Sequence, residues 1–243
     1  MSRFARRSVG FTLTMLALLP MASGCTPEGS GAYKGPYAKT GQDLYNKAVT
    51  CSSDGKTMYL PGLEKDFWYV VDAMTGNIIK RIDVVASSHN TIYSLDDKRV
   101  FMAGLKSPML RVADTSTHTI VKEVGPFSAA IRPFTVNGKG TIAYVNVNGC
   151  LGFEIGDLQT GKKLHRVDVQ GFKIGVPKRH GCPSHGIGLT PDEKELWVCD
   201  GPNQRLHIFD NTVMPPKQVA SIEVRDDPCW LTFSLDGKLC YPS

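Results

Sequence analysis

The sequence predicts an all-β fold in which one unit of four short strands recurs along the chain. Two spacings and one residue preference support this. From a turn residue to the acid that closes a third strand there are 18 residues in Asp54 to Asp72, Asp96 to Asp114 and Asp192 to Asp210, and 20 in Asn137 to Asp157. A fourth run then follows each time, as Ile82-Asp83-Val84, Lys122-Glu123-Val124, Val167-Asp168-Val169 and Ile222-Glu223-Val224. An aromatic side chain stands five residues after the turn position at Tyr59, Phe101, Trp197 and Tyr241, with Tyr144 two places later in its unit. A period just above 40 residues, with four strands in each unit, describes the blades of a β-propeller.

In chain order, residues 1–25 have the make-up of a targeting segment. Arg3, Arg6 and Arg7 form a basic head, Val9 to Leu19 an apolar core too short for a permanent membrane span, and Pro20 to Gly24 a small-residue end. The final Ala22-Ser23-Gly24-Cys25 resembles the lipobox of bacterial lipoproteins, in which the Cys is lipidated after cleavage in front of it; an ordinary secretory signal with a chance Cys is the alternative. The resemblance implies an exported, periplasmic or cell-envelope protein whose contact with the membrane is a lipid on Cys25. Residues 26–44 carry many Gly and Pro and almost no aliphatic side chains, the composition of a flexible tether. The repeat occupies residues 45–243.

The clearest copy of the unit runs from Ser184 to Val224, and its four runs are separated by turns. Four units are complete. The fifth reaches only its second strand at the C-terminus, which predicts four whole blades plus half of a fifth and a chain belonging to a longer protein, because an open array leaves an unpaired edge.

Without the leader the chain has 25 basic and 23 acidic side chains, with no basic stripe. That balance gives no reason to expect a nucleic-acid partner. Cys51, Cys150, Cys182, Cys199, Cys229 and Cys240 follow no repeating pattern, so disulfides and buried free thiols both stay open for an exported chain.

The copy SHGIGLTPDEKELWVCDGPNQRLHIFD resembles the YVTN-type β-propeller repeat, and so do the turns Ser53-Asp54-Gly55-Lys56 and Leu235-Asp236-Gly237-Lys238. The strand that names the repeat is only approximated, as Tyr59-Leu60-Pro61-Gly62 and Trp197-Val198-Cys199-Asp200. The resemblance implies the propeller fold over residues 45–243. It does not imply one function, since such propellers serve as binding platforms, envelope proteins and, in a minority, enzymes.

Two irregularities point to a site. From the last Val of one unit to the next turn position there are 12 or 13 residues, except from Val169 to Asp192, where there are 23. The extra stretch, GFKIGVPKRHGCPSHG, connects an outermost to an innermost strand and so crosses the face where the axial channel opens. Seven residues before each turn position stand Lys47, His89, Ala130, His185 and Cys229, and the insertion adds His180 and Cys182, with Arg132 nearby. His89, Arg132, His180, Cys182 and His185 are therefore the candidate binding face. Imidazole and thiolate are also the donors a divalent metal takes, which makes His89, His180, Cys182 and His185 candidate ligands should the face hold a metal in place of no cofactor at all. Hydrogen bonding of the two ring-position His residues to loop backbone is the third reading.

Enzyme motifs are absent: no Gly-flanked Ser elbow, phosphate-binding Gly loop or His-Glu-x-x-His helix. Asp72, Asp114, Asp157 and Asp210 recur at one place in each unit, as turn caps do. The favoured expectation is a non-enzymatic binding or scaffold module for a protein, peptide or glycan. The alternative is a metal-dependent or lactonase-like periplasmic hydrolase acting at the axial mouth.

Overall fold

In the computed structural model, residues 50–243 are described apart from 63, 178–181, 226 and 235. The leader, the tether and Lys47 lie outside the described residues. The first sheet holds β1 (Thr50–Cys51), β2 (Thr57–Pro61), β3 (Phe67–Asp72) and β4 (Ile78–Asp83). The second holds β5 (Ser88–Tyr93), β6 (Arg99–Gly104), β7 (Leu110–Asp114) and β8 (Thr119–Val124). The third holds β9 (Ile131–Val136), β10 (Ile142–Val147), β11 (Gly152–Asp157) and β12 (Lys163–Asp168). The fourth holds β13 (Ser184–Leu189), β14 (Glu195–Asp200), β15 (Arg205–Asp210) and β16 (Lys217–Glu223), and a fifth pairs β17 (Leu231–Phe233) with β18 (Cys240–Pro242).

Each sheet is an antiparallel meander in sequence order, so the chain is all-β with propeller-like blades, four of them four-stranded. The first strands adjoin in the series β1, β5, β9, β13, β17, and no comparable contact returns from β17 to β1 among the described residues. First strands are thus innermost. The fourth strands β4, β8, β12 and β16 are mostly exposed and form the outer edges.

Two devices recur because the sequence repeats them. At the turn between first and second strands, the Oδ1 of Asp54, Asp96, Asp192 and Asp236 accepts the backbone N–H two residues on, and also accepts a hydroxyl from Ser52, Ser94, Thr190 or Ser234. Asp72, Asp114 and Asp157 each accept two backbone N–H groups across the turn after the third strand, and Asp210 accepts that of Thr212. These acids are turn caps, as their recurrence predicts.

The second device is the aromatic on the second strand, which packs between sheets. Tyr59 meets Tyr93 of the next sheet edge to face, with ring centroids 5.5 Å apart, and Trp197 meets Phe233 in the same way. Phe101 lies in a cluster that joins the second and third sheets. Tyr144 packs on Phe153, whose ring stands 5.0 Å from that of Phe209 in the fourth sheet. Tyr241 departs from the pattern: it is 53% exposed, with no further sheet over it among the described residues. The core therefore consists of seams between sheets.

Phe153 is fully buried in such a seam, so Phe153→Ala is expected to lower the unfolding free energy by about 3–5 kcal/mol. Urea titration reads the loss directly.

The caps set the pH response. The carboxyls of Asp54, Asp72, Asp96, Asp114, Asp157, Asp192, Asp210 and Asp236 are all held below their usual 3.8, chiefly by the hydrogen bonds of their own turns. His118, which shares a 2.7 Å hydrogen bond with the buried Tyr59 hydroxyl, is held below its usual 6.5 by desolvation. Both shifts are downward, so as pH falls the unfolded chain takes up protons first, and stability is present above the unfolded values and lost below them. The melting temperature is expected to slip as pH drops below 6.5 and to fall more steeply once it passes 3.8, a two-stage profile that calorimetry across pH 3 to 7 would test.

Candidate functional site

The candidate face lies where the innermost strands β5, β9 and β13 begin. His89 is the second residue of β5 and His185 the second of β13, one on each side of β9, and both are buried. The repeat thus places the two imidazoles at equivalent strand positions, with Ala130 at the corresponding place just before β9. His89 Nδ1 lies 3.0 Å from the Asn90 side-chain oxygen. His185 Nδ1 lies 3.0 Å from the Cys229 carbonyl and 3.3 Å from its Sγ, and the ring meets Trp230 edge to face at 4.7 Å. A carbonyl only accepts, so Nδ1 of His185 carries the proton.

Close approach of two chain segments makes this contact. A Cβ on Gly186 would stand 2.8 Å from both the Cys199 Sγ and the Cys229 carbonyl oxygen, so only glycine lets the segment leading into β17 lie against β13. From the other side, Asn146 on β10 donates to the His185 carbonyl at 2.6 Å. Arg132 donates through Nε to the Asn148 side-chain oxygen at 2.5 Å, beside the mouth.

The insertion is anchored at both ends of its described part. Phe172 packs on His207 at 4.9 Å between ring centroids, and the Lys173 carbonyl accepts from Asn203 in the β14–β15 turn. At the far end Cys182 is buried, with its Sγ directed at the carbonyls of Val147 and Ser184. Cys182, His185, Asp227 and Cys229 line one cavity of about 10 Å³, the room of roughly one water molecule.

No protein-family model and no curated protein matches this chain.

The structure brings Cys182 and His185 together with Cys229 and Asp227, and it places His89 and Arg132 on the adjoining innermost strands. His180 lies outside the described residues, as does Cys25. Among the described residues, no group of three or more His, Cys, Asp and Glu side chains could hold a metal ion. Burial pushes the Cys182 thiol up to about 12, so near neutral pH it is a thiol, and a thiol is a weak donor compared with the thiolate a metal takes. Cys150, Cys182, Cys199 and Cys240 are free, the first three of them buried.

Sequence reasoning missed the part played by Asn146, Trp230 and Asp227. The shared repeat position of His185 and Cys229 was the available signal for their pairing; nothing in the spacing shows that β10 reaches across to the His185 carbonyl.

Proposed function

We propose that the chain is an exported β-propeller of the YVTN type, held at the cell envelope by a lipid on Cys25, and that its axial mouth is a non-catalytic binding face. Its contact face is the mouth bearing His89, Arg132, Cys182 and His185, with His180 a further candidate residue for it, and its partner is a protein or peptide. One observation carries the reading: the insertion is tied down at both ends beside the mouth, yet it holds Ile174 58% and Val176 88% exposed. Apolar side chains presented by an anchored loop over a rigid frame favour a protein or peptide partner over a glycan. The repeated blades supply that frame, and the sheets around the mouth need no movement to present it.

A photo-reactive residue at position 176, in cells that export the full chain, is expected to give a discrete crosslinked adduct. The same residue at position 117, in the turn at the opposite end of the second sheet, is expected to give none, and His185→Ala is expected to weaken the adduct at 176. Equal labelling from both positions, or none from 176, removes the binding face.

The envelope address is tested separately. Labelled fatty acid is expected to enter the wild-type chain and not Cys25→Ala. Recovery of Cys25 within a disulfide-linked peptide overturns lipidation, because a sulfur carrying a thioether lipid cannot form that bond.

A further inference from the structure

We propose that Ser221 is an activated nucleophile that hydrolyses carboxylic esters in the groove between the outer strands of the third and fourth sheets, with His207 as its base and Asp200 as the positioning acid. The three side chains stand on neighbouring strands of one sheet. His207 on β15 is directly opposite Ser221 on β16, and Asp200 ends β14. Ser221 Oγ lies 2.8 Å from His207 Nδ1, and His207 Nε2 lies 3.0 Å from Asp200 Oδ2. His207 and Asp200 are fully buried; Ser221 is partly exposed and lines a groove of about 610 Å³ together with Gln218, Lys217, Arg166, Asp168 and Gln170.

The hydrogen bonds around the three side chains fix which way the protons point. Asp200 accepts from the backbone N–H of Asn203 at 3.1 Å through Oδ1 and from its side-chain amide at 2.7 Å through Oδ2. Its Oδ2 is thereby an acceptor toward His207 as well, and Nε2 carries the ring proton. Gln218 takes the Gln170 N–H on its Oε1 at 2.7 Å, so the group facing Ser221 at 3.1 Å is its NH2, which also donates to the Gln170 carbonyl. An NH2 only donates, so Ser221 Oγ accepts from Gln218 and is free to give its own proton to the lone pair on His207 Nδ1. Serine O–H to imidazole nitrogen and imidazole N–H to carboxylate is the polarity that activates a serine, with the two ring nitrogens here in exchanged places.

Comparison between the sheets marks this arrangement off from ordinary cross-strand pairing. The residue three places before each closing acid is Tyr69, Arg111, Glu154 or His207, and each faces a polar residue on the outer strand: Arg81, Glu123, Arg166 and Ser221. Arg111 and Glu123 form an ion pair at 3.0 Å. Only in the fourth sheet does a buried acid stand behind the pair, since the residues ten places before the closing acid in the other three sheets are Gly62, Gly104 and Val147. Phe172, the second residue of the insertion, covers the His207 ring.

In the reaction, Ser221 Oγ forms a bond to the ester carbonyl carbon while its proton passes to His207 Nδ1. The Gln218 NH2, already beside Oγ, turns to the carbonyl oxygen as it gains charge. Collapse breaks the ester C–O bond, and the departing alkoxide takes the proton from Nδ1. Water then repeats the sequence on the acyl-serine, with His207 accepting its proton, and releases the carboxylic acid with Ser221 restored.

The test uses the full chain with a fluorophosphonate probe and p-nitrophenyl acetate. Peptide mass spectrometry is expected to find the phosphonyl group on Ser221, and Ser221→Ala is expected to lose labelling and to lower the esterase rate by about a thousand-fold while keeping the wild-type circular dichroism. Asp200→Asn, which keeps the shape, is expected to slow labelling and to change its pH profile. A wild-type chain that takes no label, or label and esterase activity that persist in Ser221→Ala, overturns the proposal; a lowered melting temperature in Ser221→Ala without labelling of the wild type identifies a structural rung only.

Discussion

The packing of one sheet on the next is what the rest of the structure depends on. Each four-stranded sheet carries apolar side chains on both faces, so a sheet standing alone would leave one large apolar surface in water. The seams remove that surface. Phe101, Phe134 and Val145 share one cluster, Tyr144, Phe153 and Phe209 another, and Tyr59, Trp68 and Val100 a third, each spanning two successive sheets. Edge-to-face rings cross the seams between the first and second, third and fourth, and fourth and fifth sheets, where they define both distance and orientation.

The capping acids do a different job in the same repeat. A two-sided array has many tight turns, and each turn leaves backbone N–H groups that no strand can satisfy. Asp72, Asp114, Asp157 and Asp210 satisfy them locally, which is why four acids at one repeat position form no site. Asp200 is an acid of another kind. It sits inside a sheet at a place where the other units have Gly or Val, and its hydrogen bonds run to a histidine on the next strand as well as to its own turn.

That contrast explains how much could be read from the sequence. Strand number, order and the acid caps were legible because they follow from spacing within one unit, and the aromatics because they recur with the period. The equivalence of His89 and His185 was legible for the same reason, and the structure places both on innermost strands. Contacts between units were harder to read. That His185 would meet Cys229 and Trp230 depends on Gly186 letting two segments approach, and no periodicity encodes that distance. Ser221, His207 and Asp200 escaped notice altogether because they are 7 and 14 residues apart and become neighbours only through strand register, with no local motif around the serine.

Energetics give the buried relay its meaning. Taking a carboxylate and an imidazole fully out of water costs several kcal/mol, which their mutual hydrogen bonds at best offset, and apolar side chains of similar volume would hold β14, β15 and β16 together at least as well. The first sheet illustrates the cheaper solution, with Gly62 in the place of Asp200 and Tyr69 in that of His207, and it packs without any buried acid. Retaining Asp200 behind His207 therefore adds little to cohesion. It does add orientation: with Asn203 holding the carboxylate and Phe172 covering the ring, the imidazole has one tautomer and one direction in which to accept a proton, and that direction ends on the partly exposed Ser221 hydroxyl. The inserted loop exposes Ile174 and Val176 to solvent while its Phe172 closes the inner end of the relay.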